Sequence, residues 1–311
     1  MFSHLPPQYA LSKTFVQAQQ VGSPIVALES AVITSGLPQP ENVNIARDME
    51  AEVRAAGAMP ATIALVDGKI RVGLTETEIQ TLAKTKEIRK ISLRDFGIAL
   101  AGGLSGGTTV AATLFVSAMT GIKVFATGGI GGVHRDAPFD VSADLTQLGK
   151  SQVLVVCAGA KAILDLPATR EVLETQGVPV IGYQTDDFPA FYTRKSGLSV
   201  DTRVDSPGAA AQIALQSWEA GLQSAILLVV PPPEEYAMSS DAMESAIESA
   251  LAEADKANIH GAATTPFLLS KVSALTGGDS LRANLALLRN NARVAGQVAA
   301  SMGGGHQAGP F

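Results

Sequence analysis

Two apolar stretches of this 311-residue sequence end in small residues that are followed by charged side chains. Residues 123–127 lead into the run GGIGG and then His134, and residues 152–157 lead into AGA and then Lys161. In open α/β sheets, ligands bind at the carboxyl ends of strands, where loops carry the polar groups. The pattern predicts a binding or active site at these two strand ends. The same region holds further ionisable residues: Arg135, Asp136, Asp140 and Asp144.

Lys161 is the first candidate for covalent chemistry. It lies between the apolar runs VLVVCAGA and AIL, with no acidic residue directly beside it. A lysine that such neighbours keep away from water loses its proton more easily, and its free amine can form an imine with a carbonyl carbon. The alternative is a lysine that extends from the start of a helix into solvent.

Glu29 is the first candidate for acid–base chemistry. It ends the apolar run PIVALE and precedes the Gly/Pro-containing segment SAVITSGLPQP. Apolar surroundings can hold a carboxyl group in its protonated form, ready to act as a general acid. A carboxylate at this position can equally serve as a partner for a turn or a helix cap.

Two features could bind an anion. The run SGGTT at 105–109 precedes a helical pattern, so its free amides and hydroxyls would face an incoming ligand. It lacks both the Lys-Ser/Thr ending of a Walker loop and the spacing of a dinucleotide fingerprint, and a structural turn is the alternative. Lys90, in the strand-like run EIRKIS, could reach the same ligand or could point to solvent.

A divalent cation is a third possibility. His134, Asp140 and Asp144 offer imidazole and carboxylate ligands, but their spacing matches no compact metal motif. Asp140 and Asp144 could instead cap a helix that starts near Ser142. Three asparagines on the last helical segment are more typical of backbone contacts and packing: Asn284, Asn290 and Asn291.

Composition narrows the class of protein. The net charge is −6 and only 17% of the residues are charged, which argues against a general nucleic-acid surface. Cys157 is the only cysteine, so an internal disulfide is impossible and a reducing compartment is expected. The sequence shows no secretory signal and no apolar run of membrane-spanning length. We expect a cytoplasmic protein that binds neither nucleic acid nor membranes.

Strand-like and helix-like patterns alternate along the chain. This alternation predicts an α/β fold: a single three-layer α/β/α domain with a mainly parallel central sheet, covered by helices on both faces. We predict a lead-in at 1–22 with a helix at 8–20, one domain at 23–302 and a disordered tail at 303–311. Strands are expected at 24–29, 61–66, 69–72, 87–92, 123–127, 152–157, 178–183 and 225–230. Helices are expected at 40–56, 75–83, 108–120, 166–176, 207–220, 241–257 and 280–301, with irregular loops at 30–40 and 185–200.

With these motifs in view, the chain resembles the pseudouridine-5′-phosphate glycosidases, also known as indigoidine-synthase-A-like proteins. The resemblance extends from about Pro24 to Ala299 and depends on long blocks such as VALES, GGTTVAAT, VFATGGIGGVHR, DVSADL, VVCAGAKAILDLPATREVLETQGVPVIGY and LTGGDSLRANLALLRNNA. It implies reversible cleavage of the C–C glycosidic bond of pseudouridine 5′-phosphate to uracil and ribose 5-phosphate. It also implies a single α/β/α domain, a homotrimer and a divalent cation, usually manganese.

The resemblance also implies roles for individual residues. Lys161 would form an imine with the ring-opened sugar, and Glu29 would be the acid that opens it. Such an electron sink is needed because the leaving atom is a ring carbon, which an ordinary glycosidase acid cannot expel. Asp140 would hold manganese, largely through water. The remaining positions would contact the substrate: Lys90, Thr109, Val110, Thr127, His134, Ser142, Ala143, Asp144 and Asn284.

The chain departs from the usual family pattern at several places. Ala31 and Ser35 stand where Thr and His are common, and HGAA at 260–263 replaces the usual Gly-Lys. Two residues are also missing between His134 and Asp140. Because the acid, the lysine and the metal residue are all present, we expect an active enzyme. The alternatives are another sugar-phosphate lyase or aldolase-like activity, or a homologue that binds a sugar phosphate without turnover.

Overall fold

The computed structural model describes residues 5–85, 88–135, 137–259 and 264–303. Its strands are β1 (Tyr9–Leu11), β2 (Ile25–Leu28), β3 (Met59–Val66), β4 (Lys69–Val72), β5 (Arg89–Ile91), β6 (Gly106–Thr108), β7 (Val124–Ala126), β8 (Val133–His134), β9 (Ala137–Val141), β10 (Leu154–Cys157), β11 (Leu164–Asp165), β12 (Val180–Tyr183), β13 (Thr202–Val204) and β14 (Ile226–Val229). Its α-helices are α1 (Lys13–Gln20), α2 (Glu41–Ala55), α3 (Glu76–Lys84), α4 (Phe96–Ala101), α5 (Val110–Thr120), α6 (Ala143–Leu148), α7 (Leu166–Thr175), α8 (Pro207–Glu219), α9 (Ser240–Lys256), α10 (Thr264–Leu275) and α11 (Asp279–Gly303).

The central sheet is mainly parallel. Within the described ranges it has eleven strands, with β1-β4-β3-β2-β7-β10-β14-β12-β13 as its main path and β6 joined to β3 and β5. The central strands β2, β7, β10 and β14 are buried almost throughout and consist of continuous apolar runs, as expected for strands that are covered on both faces. Their parallel pairing places the carboxyl ends of β2, β7 and β10 side by side.

Helices cover this sheet. Helix α11 packs against α2 and α8 and lies over β2, β7 and β10, while α5 packs against α6 and contacts β2 and β3. The largest hydrophobic cluster joins the strands to these helices, with residues such as Phe125, Leu114 and Leu287 fully buried. The architecture confirms the predicted α/β fold with helices flanking a mainly parallel sheet.

A second, smaller sheet lies beside the central one. Strand β8 pairs antiparallel with both β9 and β11, so the order is β11-β8-β9. No local sequence pattern indicates this sheet, because β8 and β11 are only two residues long and form through their partners. The small sheet carries His134 and Asp140.

Several elements differ from the sequence-based prediction. The helix expected at 8–20 begins only at Lys13, because Tyr9–Leu11 forms an edge strand parallel to β4. The loop expected at 30–40 contains a π-helical segment, Val32–Gly36. Helices α4 and α10 and strand β13 were not predicted at all.

The glycine-rich run expected to open a helix is instead strand β6. This short strand is inserted between β3 and β5. A Cβ at Gly106 would lie 2.4 Å from the Arg89 carbonyl oxygen, and one at Gly107 would lie 2.2 Å from Thr34 Oγ1. Glycine is needed here because neighbouring chain segments approach the strand so closely.

Some predictions fall on residues outside the described ranges. These are Asp136, the HGAA departure at 260–263 and the tail, except for Gly303, which ends α11. The proposed boundary between a lead-in and a single domain stays a prediction. In the ranges given above, no helix combines the length and apolar character needed to cross a membrane.

Candidate active site

A cavity of about 520 Å³ opens at the carboxyl ends of β2, β7 and β10. This size is within the range of small-molecule sites. All of the predicted site residues except Thr127 line it: Glu29, Lys90, Thr109, Val110, His134, Asp140, Ser142, Ala143, Asp144, Lys161 and Asn284. Thr127 is fully buried behind the cavity wall, where it contacts Glu29. The fold therefore brings together residues that are far apart in the sequence.

The backbone around Lys161 is held by continued pairing of two strand ends. Beyond β7 and β10, the Ala158 amide donates to the Gly128 carbonyl (2.9 Å), and the Ile130 amide donates to the Gly159 carbonyl (3.1 Å). The Lys161 amide then donates to the Ile130 carbonyl (3.1 Å). Lys161 is half-buried and its side chain lines the cavity. The Lys161 side chain thus extends from a backbone that is hydrogen-bonded to the segment following β7.

Glu29 directly follows β2 and is supported by buried neighbours. The Thr127 hydroxyl donates a hydrogen bond to the Glu29 carboxylate. The next residue, Ser30, donates through its hydroxyl to the Ile63 carbonyl (2.6 Å) and accepts from the Thr108 amide (2.9 Å). These bonds connect the end of β2 to its neighbours on both sides. Because β2 is hydrogen-bonded to β3 on one side and β7 on the other, the backbone at Glu29 is held in place at the end of a central strand.

Burial raises the pKa of the Glu29 carboxyl above its ordinary value. Solvent reaches part of Glu29 through the cavity, but protein surrounds the group and desolvation of the charged form is the largest influence. The positive charge of Lys161 and the Thr127 hydrogen bond act in the opposite direction. The raised pKa favours the protonated form that a general acid needs.

Lys90 is a second lysine in the cavity, near Lys161 and the acidic residues Glu29 and Asp144. Strand β5 carries it, and β5 is fixed by its pairing with β6, where Lys90 lies opposite Gly107. Burial lowers the pKa of the Lys90 amine, and the nearby charge of Lys161 lowers it further, while Asp144 and Glu29 act to raise it. Local sequence placed no carboxylate beside Lys161, but the fold places Glu29 close enough for their charges to interact.

Asp144 connects two parts of the cavity wall. Its carboxylate accepts hydrogen bonds from the amides of Gly131 and Ala111, each at 2.8 Å. The suggestion that Asp140 or Asp144 caps α6 was wrong, because Ser142 is the N-cap and accepts from the Asp144 amide (3.2 Å). Asp144 therefore binds one of the first free amides of α5, which begins at Val110 rather than within SGGTT.

The residues at the mouth of the cavity fit a loosely held cation better than a cage. Asp140 lies on β9, is exposed and lines the cavity, and half-buried His134 lies on the neighbouring strand. Among the described residues, no group of three or more His, Cys, Asp or Glu side chains could surround a metal ion. A cation that keeps most of its water ligands needs only one or two carboxylates. Asp140 alone is consistent with that mode.

The asparagines of α11 divide into two roles. Asn284 is buried and lines the cavity, where its amide can contact a ligand. Asn291 is fully buried, and its Nδ2 donates to the Thr127 carbonyl (2.8 Å). The backbone role proposed for asparagines on this helix is thus confirmed for Asn291.

Sequence reasoning missed Phe191 as a cavity residue. Its backbone is left-handed (φ 62°), an unfavourable conformation for an aromatic residue. The ring lies against Gly129, where an added Cβ would be 2.6 Å from it, and the Phe191 amide donates to the Ala158 carbonyl (3.0 Å). The available signal was the presence of three aromatic residues in the loop at 185–200. Neither Phe191 nor the exposed residue Arg94, which also lines the cavity, was predicted as a site residue.

Comparison with known sequences gives a consistent result. Residues 15–301 match the family described as indigoidine synthase A like protein. The chain is 53% identical over 294 residues to a pseudouridine-5′-phosphate glycosidase of Caldanaerobacter subterraneus subsp. tengcongensis, covering 94% of this chain and 96% of the relative. It is 56% identical over 285 residues to the protein of the same name from Herpetosiphon aurantiacus, covering 90% of this chain and 93% of the relative.

Solved structures agree with the sequence comparison. The prealnumycin C-glycosynthase in complex with ribulose 5-phosphate is similar with a TM-score of 0.88 and 43% identity, covering 96% of this chain and 98% of that protein. An indigoidine synthase A-like protein from Thermotoga maritima has the same TM-score at 34% identity, covering 97% of this chain and 100% of that protein. On its sequence and its fold, the chain belongs to the indigoidine synthase A-like family.

Proposed function

We propose that this protein cleaves the C–C glycosidic bond of pseudouridine 5′-phosphate and, with one water, yields uracil and ribose 5-phosphate in a reversible reaction. The observation that carries the proposal is that Glu29, whose pKa is raised by burial, and Lys161 line the same cavity. Relatives that are about half identical over most of the chain have the same named activity. A related structure contains ribulose 5-phosphate, which supports a sugar phosphate as the ligand.

The proposed chemistry uses the two residues in sequence. Glu29 gives its proton to the sugar ring oxygen as the bond from that oxygen to C1′ breaks, and the Lys161 amine forms a bond to C1′. A proton then adds to C5 of uracil, and the C1′–C5 bond breaks as the nitrogen lone pair forms an imine. Water hydrolyses the imine and releases ribose 5-phosphate and free Lys161. The bond electrons return to the uracil ring, so no oxidant or reductant is needed.

The other cavity residues support substrate binding in this proposal. Lys90 and the start of α5, at Thr109 and Val110, offer a cation and backbone amides for the phosphate. Ser142, Ala143 and Asp144 would line the sugar side. The base or the sugar hydroxyls would contact His134 and Asn284, which both line the cavity. Thr127 would act through Glu29, because its hydroxyl contacts that carboxylate.

We further propose that Asp140 holds a divalent cation, with manganese the expected metal. The ion would supply positive charge near the anionic substrate, and Asp140 would be its main protein ligand. The test is manganese binding measured by electron paramagnetic resonance on the ligand-free protein. Asp140→Asn should lose the bound signal, whereas the exposed Asp186→Asn should retain it. Equal binding by both variants would place the metal elsewhere.

A homotrimer is the expected assembly, on the resemblance to the family alone. Light scattering coupled to size-exclusion chromatography measures the mass directly. A mass of about three chains of 32.0 kDa supports the trimer. A mass equal to one chain or two would contradict it.

A second candidate is C–C bond formation between a sugar phosphate and another carbon nucleophile. The observation that favours it is the likeness to a protein named as a C-glycosynthase. Incubation with pseudouridine 5′-phosphate separates the two candidates when uracil and pentose phosphate are quantified by chromatography. Release of both products in equal amounts, and its loss in Glu29→Gln, supports the glycosidase. Sugar-phosphate binding with no uracil release would favour the second candidate or a homologue that only binds.

A further inference from the structure

Arg135 lies outside the cavity but contacts the main chain that carries Lys161. It follows β8 in a turn, and its guanidinium extends toward residues 161–164. The Nη2 group donates to the Ala162 carbonyl (3.1 Å), and Nε donates to the Leu164 carbonyl (3.3 Å). One side chain thus binds two carbonyl oxygens of the segment that directly follows the lysine.

The segment is a tight turn. The Leu164 amide donates to the Lys161 carbonyl (3.0 Å), which closes the turn. Leu164 then pairs with His134 through β11 and β8. A turn of this kind directs carbonyl groups outward, and the planar guanidinium can bind two of them at once.

A second edge of the guanidinium binds helix α9. Both carboxylate oxygens of Glu244 accept hydrogen bonds from Arg135, and the contact from Nη2 measures 3.1 Å. This pairing lowers the pKa of the Glu244 carboxyl, so that Glu244 is charged at neutral pH. The Arg135 side chain is mostly buried between the two, with 24% of its surface exposed. Arg135 therefore connects the turn at 161–164 to α9.

We propose that Arg135 is a positioning residue for Lys161, an inference that rests on the proposed function of that lysine. The guanidinium fixes the turn at 161–164, and the turn fixes the direction in which the amine enters the cavity. Small displacements of a nucleophile slow a reaction strongly, since attack requires aligned atoms at close range. Glu244 holds the guanidinium in the orientation that reaches both carbonyls. Arg135 itself touches neither substrate nor reacting atoms.

The test compares Arg135→Lys with wild type and with Arg203→Lys. Arg203 forms exposed ion pairs with Asp186 and with Asp205. Its lysine variant is therefore a matched control for the same substitution at a surface arginine. Lysine keeps the charge at position 135 but cannot bind two carbonyls in a fork. The first readout is the rate of borohydride trapping of Lys161 at saturating ribose 5-phosphate. The second is hydrogen–deuterium exchange at the Leu164 amide in the ligand-free protein.

Arg135→Lys should slow trapping roughly ten- to hundredfold at saturating sugar phosphate, with little change in the concentration that gives half-saturation. Exchange at Leu164 should become about tenfold faster, since the turn loses two hydrogen bonds. Arg203→Lys should match wild type in both. Glu244→Gln, which keeps an acceptor without the charge, should have a smaller effect in the same direction.

The outcomes separate this inference from the proposed function. If wild type forms no adduct, the imine chemistry fails, and the exchange rate alone decides whether Arg135 holds the turn. If wild type traps and Arg135→Lys traps equally fast with unchanged exchange, the inference is overturned. A variant with a lower melting temperature but unchanged trapping at a temperature where it is folded would show a merely structural role and would also overturn it.

Discussion

The Thr127 hydroxyl donates a hydrogen bond to the Glu29 carboxylate and so connects the carboxyl ends of two neighbouring central strands. Thr127 is fully buried, and its carbonyl accepts a hydrogen bond from Asn291 of α11 (2.8 Å). A chain of contacts therefore runs from α11 through Thr127, directly after β7, to the proposed acid. This relationship makes the protonation of Glu29 sensitive to a residue that does not line the cavity.

Removing this hydrogen bond should extend activity to higher pH. Because burial raises the pKa of Glu29, the protonated acid persists above its ordinary range and activity is lost as the pH rises through the raised value. The Thr127 hydroxyl acts to lower this pKa, so Thr127→Val should raise it further. The descending limb of the kcat profile should move to higher pH. A limb that moved to lower pH would contradict the assignment, and Thr127→Ser, which keeps the hydroxyl, should follow wild type.

Lys90 should contribute to affinity for the phosphate more than to the chemical step. Lys90→Met removes a cation that lines the cavity while keeping a similar side-chain volume. A hydrogen bond to a charged group is worth about 1.5–3 kcal/mol, so KM should rise roughly ten- to hundredfold, with a smaller change in kcat. Steady-state kinetics with pseudouridine 5′-phosphate measure both constants. Lys69→Met, at an exposed site on β4, is the control, and an unchanged KM for Lys90→Met would exclude a phosphate contact.

Asp144 should be important for stability, because both of its carboxylate oxygens accept from backbone amides. Asp144→Asn replaces one acceptor by an amide donor and leaves a buried N–H group without a partner. The expected loss is about 1–3 kcal/mol in the free energy of unfolding, measured by urea denaturation. Asp186→Asn, at a largely exposed carboxylate, should change it by less than about 0.5 kcal/mol. Equal stability of both variants would show that the two amide contacts contribute little.

The sequence predicted the central sheet well because its strands carry their own signal. The apolar runs of β2, β7, β10 and β14 are long enough to be recognised without knowledge of their neighbours. The short strands β6, β8 and β11 are different. Two or three residues contain no periodic pattern, and they become strands only because a partner lies beside them.

The site could be predicted as a set of residues but not as an arrangement. Motifs identified Glu29 and Lys161, yet only the order β2-β7-β10 shows that they share one cavity. Phe191 enters the cavity through a left-handed backbone that no local pattern indicates. The sequence shows Arg135 as one charged residue among several, but its contacts depend on where β8 and α9 meet.

The most direct test of the proposed chemistry is covalent capture at Lys161. Wild type and Lys161→Ala are treated with borohydride in the presence of ribose 5-phosphate and manganese, and their intact masses and modified peptides are measured. We expect a pentose-phosphate adduct on Lys161 in wild type and none in the variant. An unmodified wild type, under conditions in which ribose 5-phosphate demonstrably binds, would contradict the imine and favour a protein that only binds the sugar phosphate.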